Sequence, residues 1–344
     1  MIHKKLLNWY DQNKRHLPWR HGRTPYRVWI SEIMLQQTQV STVIPYFNKW
    51  MKKFPTIKKL RNSNYEEVLK NWEGLGYYNR CKNIYRASQQ ITGPFPKKYE
   101  ELIKLPGIGE YTAKMIMAIS YGEKTVGIDT NLERIGYRQL GLKKKSKRNK
   151  KRVTIFLENN QCKKRPGDYN EALMDLGSST CKATVTFCSQ CPINENCKAF
   201  KTSNPTEYPN PKIFKKLPMY EVAISVVKYE NRILISKREK KKLLADLWEF
   251  PGGKIKKNES AESAVIREIE EETNLKVKSP IYLGSVKHHY SHFGVNITLF
   301  LSYPKSIQGL STEQEYKWIL LDDIDKYPLP KANHKMLDIL KKLD

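Results

Sequence analysis

Four cysteines lie close together in the sequence and could bind a metal ion or a cluster. They are Cys181, Cys188, Cys191 and Cys197, which fall within 17 residues. Four-cysteine zinc sites typically pair two short C-x2–4-C hooks, whereas here only Cys188 and Cys191 form such a hook. The wider gaps favour a 4Fe–4S cluster over zinc, which stays the alternative. The other two cysteines, Cys81 and Cys162, are predicted to be structural thiols.

A row of glutamates near the C-terminus forms a second set of potential metal ligands. Glu268, Glu271 and Glu272 stand at positions i, i+3 and i+4, which places them on one face of a predicted helix. Clustered carboxylates repel one another unless a hard cation joins them, so the pattern indicates a Mg²⁺ site. A solvated acidic helix is the alternative, because Glu is a good helix former.

A single carboxyl group lies within an apolar stretch of the N-terminal half. Glu32 is flanked by Ile30, Ile33 and Met34 on a predicted helix. Most glutamates are exposed, but these neighbours favour burial, which raises the pKa of a carboxyl group and lets it donate a proton near neutral pH. The polar run Gln36–Gln39 follows, and its amides could contact bases or water.

The stretch Leu105–Asn131 predicts a tight turn followed by a helix. Pro106, Gly107 and Gly109 interrupt any preceding helix, and an apolar helical pattern begins at Thr112. A glycine-rich turn that opens onto a helix N-terminus directs backbone N–H groups outward and suits a phosphate. An ordinary helical corner is the alternative.

The charge of the chain is large and unevenly distributed. The 344 residues carry a net charge of +27, of which residues 1–218 contribute +24 and residues 219–344 only +3. Eight of the ten residues in Lys143–Arg152 are basic. Such a surface on the first part favours nucleic acid as the partner. The 39% hydrophobic content is too high for a disordered chain. Because we find neither a long apolar stretch nor a signal-peptide core, we expect a cytoplasmic protein.

The elements predict two domains joined by a linker. Helical patterns fill residues 1–202, which include the cysteine loop at 181–197, and proline punctuates residues 203–218. Strand patterns then begin with residues 222–227 and 233–235, so residues 219–344 are predicted to form an α/β domain.

Together these motifs resemble the MutY family of adenine DNA glycosylases along nearly the whole chain. The segments that carry the resemblance are Leu17–Arg20, Ser31–Gln39, Gly74–Tyr78, Leu105–Gly109, Ile128–Asn131 and the cysteine loop. The resemblance implies a multidomain fold: an all-α helix-hairpin-helix glycosylase domain with a 4Fe–4S loop, followed by a Nudix-like α/β/α domain that recognises 8-oxoguanine.

In this family, adenine mispaired with 8-oxoguanine or guanine is flipped out of the duplex and its N-glycosidic bond is hydrolysed. The resemblance assigns Glu32 as the general acid and Asp129 as the carboxylate that stabilises the sugar cation. Tyr111 would assist in the pocket, and Asn131 would support Asp129. Because endonuclease III-type enzymes carry a nucleophilic lysine where Tyr111 stands, the resemblance implies a monofunctional enzyme without efficient lyase activity.

The resemblance assigns further residues to contacts with DNA and with the cofactor. For the adenine pocket they are Arg15, Leu17, Trp19, Arg20 and Glu171; for the duplex Gln37, Tyr77, Gly107 and Gly109; for 8-oxoguanine Tyr290, Ser291 and His292; and for the 4Fe–4S cluster Cys181, Cys188, Cys191 and Cys197. We expect a DNA-associated monomer acting on double-stranded DNA.

Two departures from the family pattern leave alternatives open. Thr130 stands where many members have glycine, and the run Asp129-Thr130-Asn131 also resembles the endonuclease III-like lyases of the superfamily. The Nudix signature lacks only a glycine, replaced by Asn274, so the C-terminal domain could also hydrolyse 8-oxo-dGTP with Mg²⁺ at Glu268, Glu271 and Glu272. A nucleotide-pool hydrolase tethered to a DNA-binding module and a catalytically silent damage binder are further alternatives.

Overall fold

The computed structural model describes residues 1–202, 204–211, 217–239, 244–290 and 292–341. The chain divides into two compact units. The first comprises Met1–Ser63 and Lys82–Ile213, and the second comprises Asn64–Cys81 and Phe214–Asp344. Among the helices of the described ranges, none combines the length and the apolar character that crossing a membrane requires.

The N-terminal two thirds of the chain is helical. In chain order its helices are α1 (Ile2–Asn13), α2 (Pro25–Leu35), α3 (Val40–Lys53), α4 (Ile57–Arg61), α5 (Tyr65–Trp72), α6 (Asn79–Gln90), α7 (Tyr99–Leu102), α8 (Glu110–Ser120), α9 (Thr130–Leu140), α10 (Lys147–Asn159) and α11 (Pro166–Ser179). Helix α5 and the start of α6 belong to the second unit. Short 3-10 turns occur at Pro18–Arg20, Cys188–Gln190 and Pro205–Glu207.

Helix α2 is the central helix of the first unit. Its N-cap is Thr24, whose hydroxyl accepts a hydrogen bond from the backbone of Arg27, and Pro25 occupies the first helical position. Residues 28–34 are all buried, so the helix is enclosed by neighbours that include α3 and α8. It ends at Leu35, where the apolar pattern gives way to glutamines.

Helices α8, α9 and α11 pack closely around the same region. A Cβ atom at Gly167 of α11 would lie 2.9 Å from the Cα of Ile119 in α8, so glycine permits this close approach. Helix α8 begins at Glu110 rather than at Thr112 as predicted, because Gly109 is already its N-cap. Helix α9 ends at Gly141, which has a φ of +63° and is typical of a helix C-cap.

The second unit contains a mixed sheet. Its strands are β1 (Met219–Tyr229), β2 (Arg232–Lys237), β3 (Trp248–Glu249), β4 (Gly252–Lys254), β5 (Ile281–His289), β6 (Gly294–Ser302) and β7 (Tyr316–Leu320). The order is β3-β2-β1-β6-β5, with β4 paired to β1 and β7 to β2. Strands β1 and β6 run parallel, with Val222 opposite Ile297, and the other pairs are antiparallel.

Two helices cover the two faces of this sheet. Val226 of β1 packs in a core with α13 (Lys331–Leu340), whereas the adjacent Val227 packs in a core with α12 (Ala261–Thr273). Successive strand residues point to opposite faces, so the sheet lies between α12 and α13. The predicted class, an all-α part followed by an α/β/α part, is confirmed.

The predicted domain limits at 202, 203–218 and 219 stay a prediction. Within the described part of the predicted linker, Asn210 donates its backbone N–H to the carbonyl of Lys143, and the carbonyl of Tyr208 accepts a hydrogen bond from Arg138. Residues 204–211 are therefore attached to the first unit. Ser203 and residues 212–216 lie outside the described residues.

Candidate active site

A cleft of about 670 Å³ opens in the first unit between α2, α8, α11 and the start of α9. Every residue predicted for catalysis or for the adenine pocket lines it, together with Gln37: Arg15, Leu17, Trp19, Arg20, Glu32, Tyr111, Asp129, Asn131 and Glu171. These residues are separated by up to about 150 positions in the chain, and the fold brings them together. Their chemical roles stay predictions.

Glu32 is buried at the wall of the cleft. Its side chain is enclosed by α2 and its neighbours, and only 5% of the residue is exposed. Burial raises the pKa of Glu32 to about 7, and the nearby charges of Glu171 and Asp129 act in the same direction. A hydrogen bond from Tyr111 and the charge of Arg20 oppose the rise. The sequence-based expectation that Glu32 is buried is correct, and its carboxyl group can hold a proton near neutral pH.

The hydroxyl of Tyr111 stays protonated in this setting. Burial raises its pKa well above the ordinary value, and the charges of Glu32 and Asp129 raise it further. The hydroxyl donates a 2.7 Å hydrogen bond to Oε2 of Glu32 and lies 3.8 Å from the sulfur of Met174. Tyr111 therefore acts as a hydrogen-bond donor rather than as a base.

Asp129 is fixed at the N-terminus of α9. Its Oδ1 accepts hydrogen bonds from the backbone N–H groups of Asn131 and Leu132, both at 2.8 Å, and its Oδ2 accepts one from Nδ2 of Asn131 at 2.9 Å. The Asn131 amide is oriented in turn by Arg134, whose Nη2 donates to Oδ1 at 3.0 Å. Burial raises the pKa of Asp129, whereas these donors lower it. The carboxylate is thus held in one orientation beside the cleft.

Helix α11 presents Glu171 to the cleft within a network of charged groups. Oε2 of Glu171 accepts hydrogen bonds of 2.6 Å from the hydroxyl of Tyr10 and from Nη2 of Arg23, and its Oε1 lies 3.5 Å from Nε of Arg20. Burial raises the pKa of Glu171, and the two arginines oppose this. One turn further along α11, Asp175 binds Arg15 and Arg20.

The predicted hairpin lies on the surface between α7 and α8. Gly107 has a φ of +79° and is exposed, and Gly109 caps α8 with its backbone also exposed. The backbone N–H of Ile108 closes the turn onto the carbonyl of Leu105 at 3.1 Å. The exposed start of α8 thus offers backbone N–H groups to an anion.

The two residues predicted to enter the duplex share an unusual backbone conformation. Gln37 follows α2 at the edge of the cleft with a φ of +55°. Tyr77 follows α5 in the second unit with a φ of +51°, and its ring centroid lies 5.2 Å from the guanidinium of Arg80. Positive φ is uncommon for residues other than glycine.

The four cysteines of the loop line one small cavity. Cys181, Cys188, Cys191 and Cys197 surround it, and Arg138 donates from Nη1 to the sulfur of Cys181 at 3.1 Å. Burial raises the pKa of the Cys191 thiol to about 12 and also raises that of Cys197. In the described ranges, no three His, Cys, Asp or Glu side chains are arranged to hold a single metal ion. The donor set suits a cluster, because cysteine thiolates are the ligands of 4Fe–4S clusters and four cysteines line this one cavity.

The three predicted magnesium ligands lie on α12 in the second unit. Arg267 donates from Nη1 to Glu268 at 2.7 Å and to Glu271 at 3.0 Å, while Glu272 accepts a hydrogen bond from the backbone of Gly252 at 3.1 Å. The Arg267 guanidinium therefore offsets part of the repulsion between Glu268 and Glu271.

The predicted 8-oxoguanine loop connects β5 to β6. Tyr290 packs against Phe293 with ring centroids 5.0 Å apart, and its backbone N–H binds the carbonyl of Phe293. His292 is exposed, and Ser291 lies outside the described residues. The cleft residues belong to the first unit, and this loop belongs to the second.

Two family models match the chain, one in each half. Residues 30–159 match the HhH-GPD superfamily of base excision DNA repair proteins, and residues 222–338 match a NUDIX domain. The adenine DNA glycosylase of Buchnera aphidicola (subspecies Acyrthosiphon pisum) is 35% identical over 98% of this chain and 97% of its own length. The chain belongs to the adenine DNA glycosylase family.

A further relative and a solved structure are also similar to the chain. The adenine DNA glycosylase of Arabidopsis thaliana is 36% identical over 77% of this chain and 49% of its own length. A solved structure of a thermostable thymine-DNA glycosylase is similar with a TM-score of 0.54 at 24% identity, covering 58% of this chain and 94% of that one. At that identity the structural likeness concerns the fold alone.

Sequence reasoning missed part of the charged network of this adenine glycosylase family member. Tyr10, Arg23, Asp168 and Asp175 were not predicted. Tyr10 and Arg23 contact Glu171, Asp168 contacts Arg23, and Asp175 contacts Arg20. One signal existed: Asp175 stands four residues after Glu171, on the same helical face. Tyr10 on α1 and Arg23 in the loop before α2 have no comparable pattern in the nearby sequence.

Proposed function

We propose that this enzyme hydrolyses the N-glycosidic bond of adenine in double-stranded DNA, with adenine opposite 8-oxoguanine or guanine as the substrate. The observation that carries the proposal is the buried carboxyl of Glu32, whose pKa is raised to about 7, facing the same cleft as Asp129. One acid and one carboxylate in one cleft are what cleavage of a glycosidic bond requires. The family assignment supports adenine as the base removed.

The steps follow from the two carboxyl groups. Glu32 donates its proton to the ring of the flipped adenine, and the C1′–N9 bond breaks with its electron pair going to the base. Asp129, ionised beside the sugar, stabilises the positive charge that develops there. Water then adds to C1′ and releases a proton, which leaves an abasic sugar. Hydrogen bonds from Asn131 already hold the Asp129 carboxylate in place. The carboxylate therefore does not have to move when positive charge develops on the sugar.

We propose that the enzyme leaves the DNA strand intact. Strand cleavage by this class of enzyme needs an amine that forms a Schiff base with the sugar. Tyr111 occupies the corresponding position, and the residues that line the described cleft include no lysine. An endonuclease III-like lyase activity is therefore not favoured.

The duplex is proposed to contact three regions. Gly107 and Gly109 bind a backbone phosphate through the exposed start of α8. Gln37 and Tyr77 enter the duplex beside the extruded base. Tyr290, together with Ser291 and His292, would contact 8-oxoguanine. The ring of Tyr290 packs against that of Phe293. We further propose a DNA-associated cytoplasmic monomer.

The four cysteines are proposed to hold a 4Fe–4S cluster. The enclosed cavity lined by four sulfurs and the Arg138 donor fit such a group. When bound, the cluster would join four points of the loop by covalent bonds to iron. No step of the base removal passes through it.

A second activity is proposed for the Nudix part. Its signature departs from the family pattern only at Asn274, which caps α12 with a φ of +57°. Asparagine adopts this conformation more readily than other residues with a side chain, so the replacement keeps the turn. We therefore propose that Glu268, Glu271 and Glu272 bind Mg²⁺ and support hydrolysis of 8-oxo-dGTP.

The second activity is tested in the full-length Glu32→Gln variant, because this variant is expected to lack base excision. With Mg²⁺, we expect release of 8-oxo-dGMP and pyrophosphate from 8-oxo-dGTP, and loss of that release when Glu271→Gln is added. If 8-oxo-dGTP stays intact at high enzyme concentration, the proposed second activity is refuted.

An excision assay tests the main proposal. Duplexes with adenine opposite 8-oxoguanine, guanine or thymine, and one with an oxidised pyrimidine, are each incubated with excess enzyme. We expect adenine release from the first two and little from the others. Release of the oxidised pyrimidine with strand cleavage would instead assign an endonuclease III-like activity.

A further inference from the structure

Asp175 is a buried carboxylate beside the adenine pocket that the proposed mechanism does not use. It lies on α11 and is 1% exposed. We propose that Asp175 is a positioning residue that fixes the guanidinium groups of Arg15 and Arg20 in the pocket. This inference rests on the proposed excision of adenine in that cleft.

Both oxygens of Asp175 are used by the two arginines. Arg20 binds in a bidentate manner, with Nη1 2.7 Å from Oδ2 and Nη2 3.0 Å from Oδ1. Arg15 donates from Nε to Oδ1 at 2.6 Å and from its backbone N–H to Oδ2 at 3.2 Å. A planar guanidinium bound at two points keeps a single orientation. Asp175 therefore determines where the donors of both arginines lie.

The arrangement also pairs opposite charges. Three carboxylates on one face of α11, Asp168, Glu171 and Asp175, meet the guanidiniums of Arg15, Arg20 and Arg23 from the loop after α1, and Asp168 also pairs with Arg165. Removing one charge from a buried set leaves its partner uncompensated, and this is costly. Loss of the Asp175 charge would leave an excess positive charge at Arg20.

That excess charge would act on the proton of Glu32. The groups that face Glu32 are Tyr111 from α8, Asp129 before α9, Glu171 from α11, and Arg20. Among these Arg20 is the cation, and it favours the ionised form of Glu32. If Arg20 loses its counter-charge while it stays in place, the acid form of Glu32 becomes less populated at neutral pH. Asp175 thus acts on catalysis through Arg20, without contact to the reacting atoms.

The test compares Asp175→Asn with Asp11→Asn. Asp11 also pairs with an arginine, Arg165, at 2.6 Å, but it lies on α1 and does not line the cleft, so it controls for the loss of one paired carboxylate. Single-turnover excision of adenine opposite 8-oxoguanine is measured from pH 5 to 9. For Asp175→Asn we expect a rate lowered about 10- to 100-fold, with the pH at which excision is half lost moved downward. Asp11→Asn should keep the wild-type rate and pH midpoint.

Several outcomes would overturn the proposal. One is a wild-type rate and pH midpoint in Asp175→Asn, while the wild-type protein excises adenine. Another is an equal loss of rate in both variants with no change of midpoint, which indicates a structural role only. If Asp175→Asn does not fold, Asp175→Glu tests the proposal instead. Its longer side chain keeps the charge but displaces both guanidiniums, so we expect slower excision at an unchanged pH midpoint. A wild-type rate in Asp175→Glu would refute the proposal. Absence of excision by the wild-type protein refutes the proposed function itself.

Discussion

The hydroxyl of Tyr111 donates a 2.7 Å hydrogen bond to Oε2 of Glu32. The two residues are 79 positions apart in the chain and lie on α8 and α2. The bond stabilises the ionised carboxylate and so lowers the pKa of Glu32, while burial raises it to about 7. The proton affinity of Glu32 is therefore set by two opposing contributions.

Removing this hydrogen bond should shift the pH dependence of excision. In Tyr111→Phe the carboxylate loses its donor, so the pKa of Glu32 rises. Because the protonated form is active, the pH at which excision is half lost should move upward by roughly one unit. Single-turnover rates from pH 5 to 10 measure this. A downward shift would show that Tyr111 does not stabilise the carboxylate.

The raised pKa of Glu32 should also lower stability at high pH. A carboxyl group ionises near pH 4.5 in the unfolded chain but near 7 in the folded one, so the folded state binds the proton more tightly. The stability that this provides is present below about pH 4.5 and is lost as pH rises through about 7. Glu32→Gln, which is neutral, should therefore stabilise the protein by about 2–3 kcal/mol at pH 8 relative to wild type.

Chemical denaturation at pH 8 and pH 5 measures that difference. The gain should shrink markedly at pH 5, where wild-type Glu32 is already protonated in the folded protein. Equal effects of the substitution at both pH values would contradict a buried, raised carboxyl group.

Asp129 is predicted to have two separable roles. It caps α9 through its Oδ1, and its charge is proposed to stabilise the sugar cation. Asparagine caps a helix about as well as aspartate, whereas alanine costs about 1 kcal/mol. Asp129→Asn should lose excision with stability nearly unchanged, and Asp129→Ala should lose both. Parallel measurements of adenine release and of the melting temperature check this; equal destabilisation by both substitutions would refute the capping role.

The basic start of α10 is predicted to bind DNA phosphates. Ser146 caps this helix, whose first turn contains no acidic residue, and Lys147, Arg148, Lys150 and Lys151 are exposed. Cations at a helix N-terminus oppose the helix dipole, so their presence favours a polyanionic partner. Changing these four to Gln should weaken duplex binding and reduce its salt dependence by about 0.9 per lost phosphate contact.

A matched control changes four exposed lysines of the second unit, Lys257, Lys276, Lys278 and Lys305, to Gln. Both variants lose the same charge, and affinities are measured across a range of salt concentrations. Equal loss in the two variants would show that only total charge matters and would contradict a local site at α10.

The local pattern of the sequence was sufficient for some features of the fold and site. The apolar neighbours of Glu32 predicted its burial, and the strand pattern at residues 222–227 predicted part of β1. The cysteine spacing predicted a common site for the four cysteines, and all four line one cavity; the cluster itself stays a prediction. Each of these signals lies within a few residues of the feature it predicts.

Other features depend on contacts that no local pattern encodes. The pairing of Asp175 with Arg15 and Arg20 joins residues about 155–160 positions apart. The grouping of α5 with the second unit likewise depends on contacts between residues far apart in the chain. Directly after α5, Oε1 of Glu73 accepts a hydrogen bond from the backbone N–H of Leu329 at 2.7 Å and lies 3.0 Å from Nε2 of His334. In each case, the sequence near one residue does not identify the distant residue that it contacts.

The most direct test of the account is excision by Glu32→Gln. The glutamine keeps the size of the side chain and lacks the proton that is donated to adenine. With excess enzyme and a duplex containing adenine opposite 8-oxoguanine, we expect wild-type protein to release adenine and the variant to release none, while both bind the duplex with similar affinity. Adenine release by Glu32→Gln at the wild-type rate would contradict the assignment of Glu32 as the general acid.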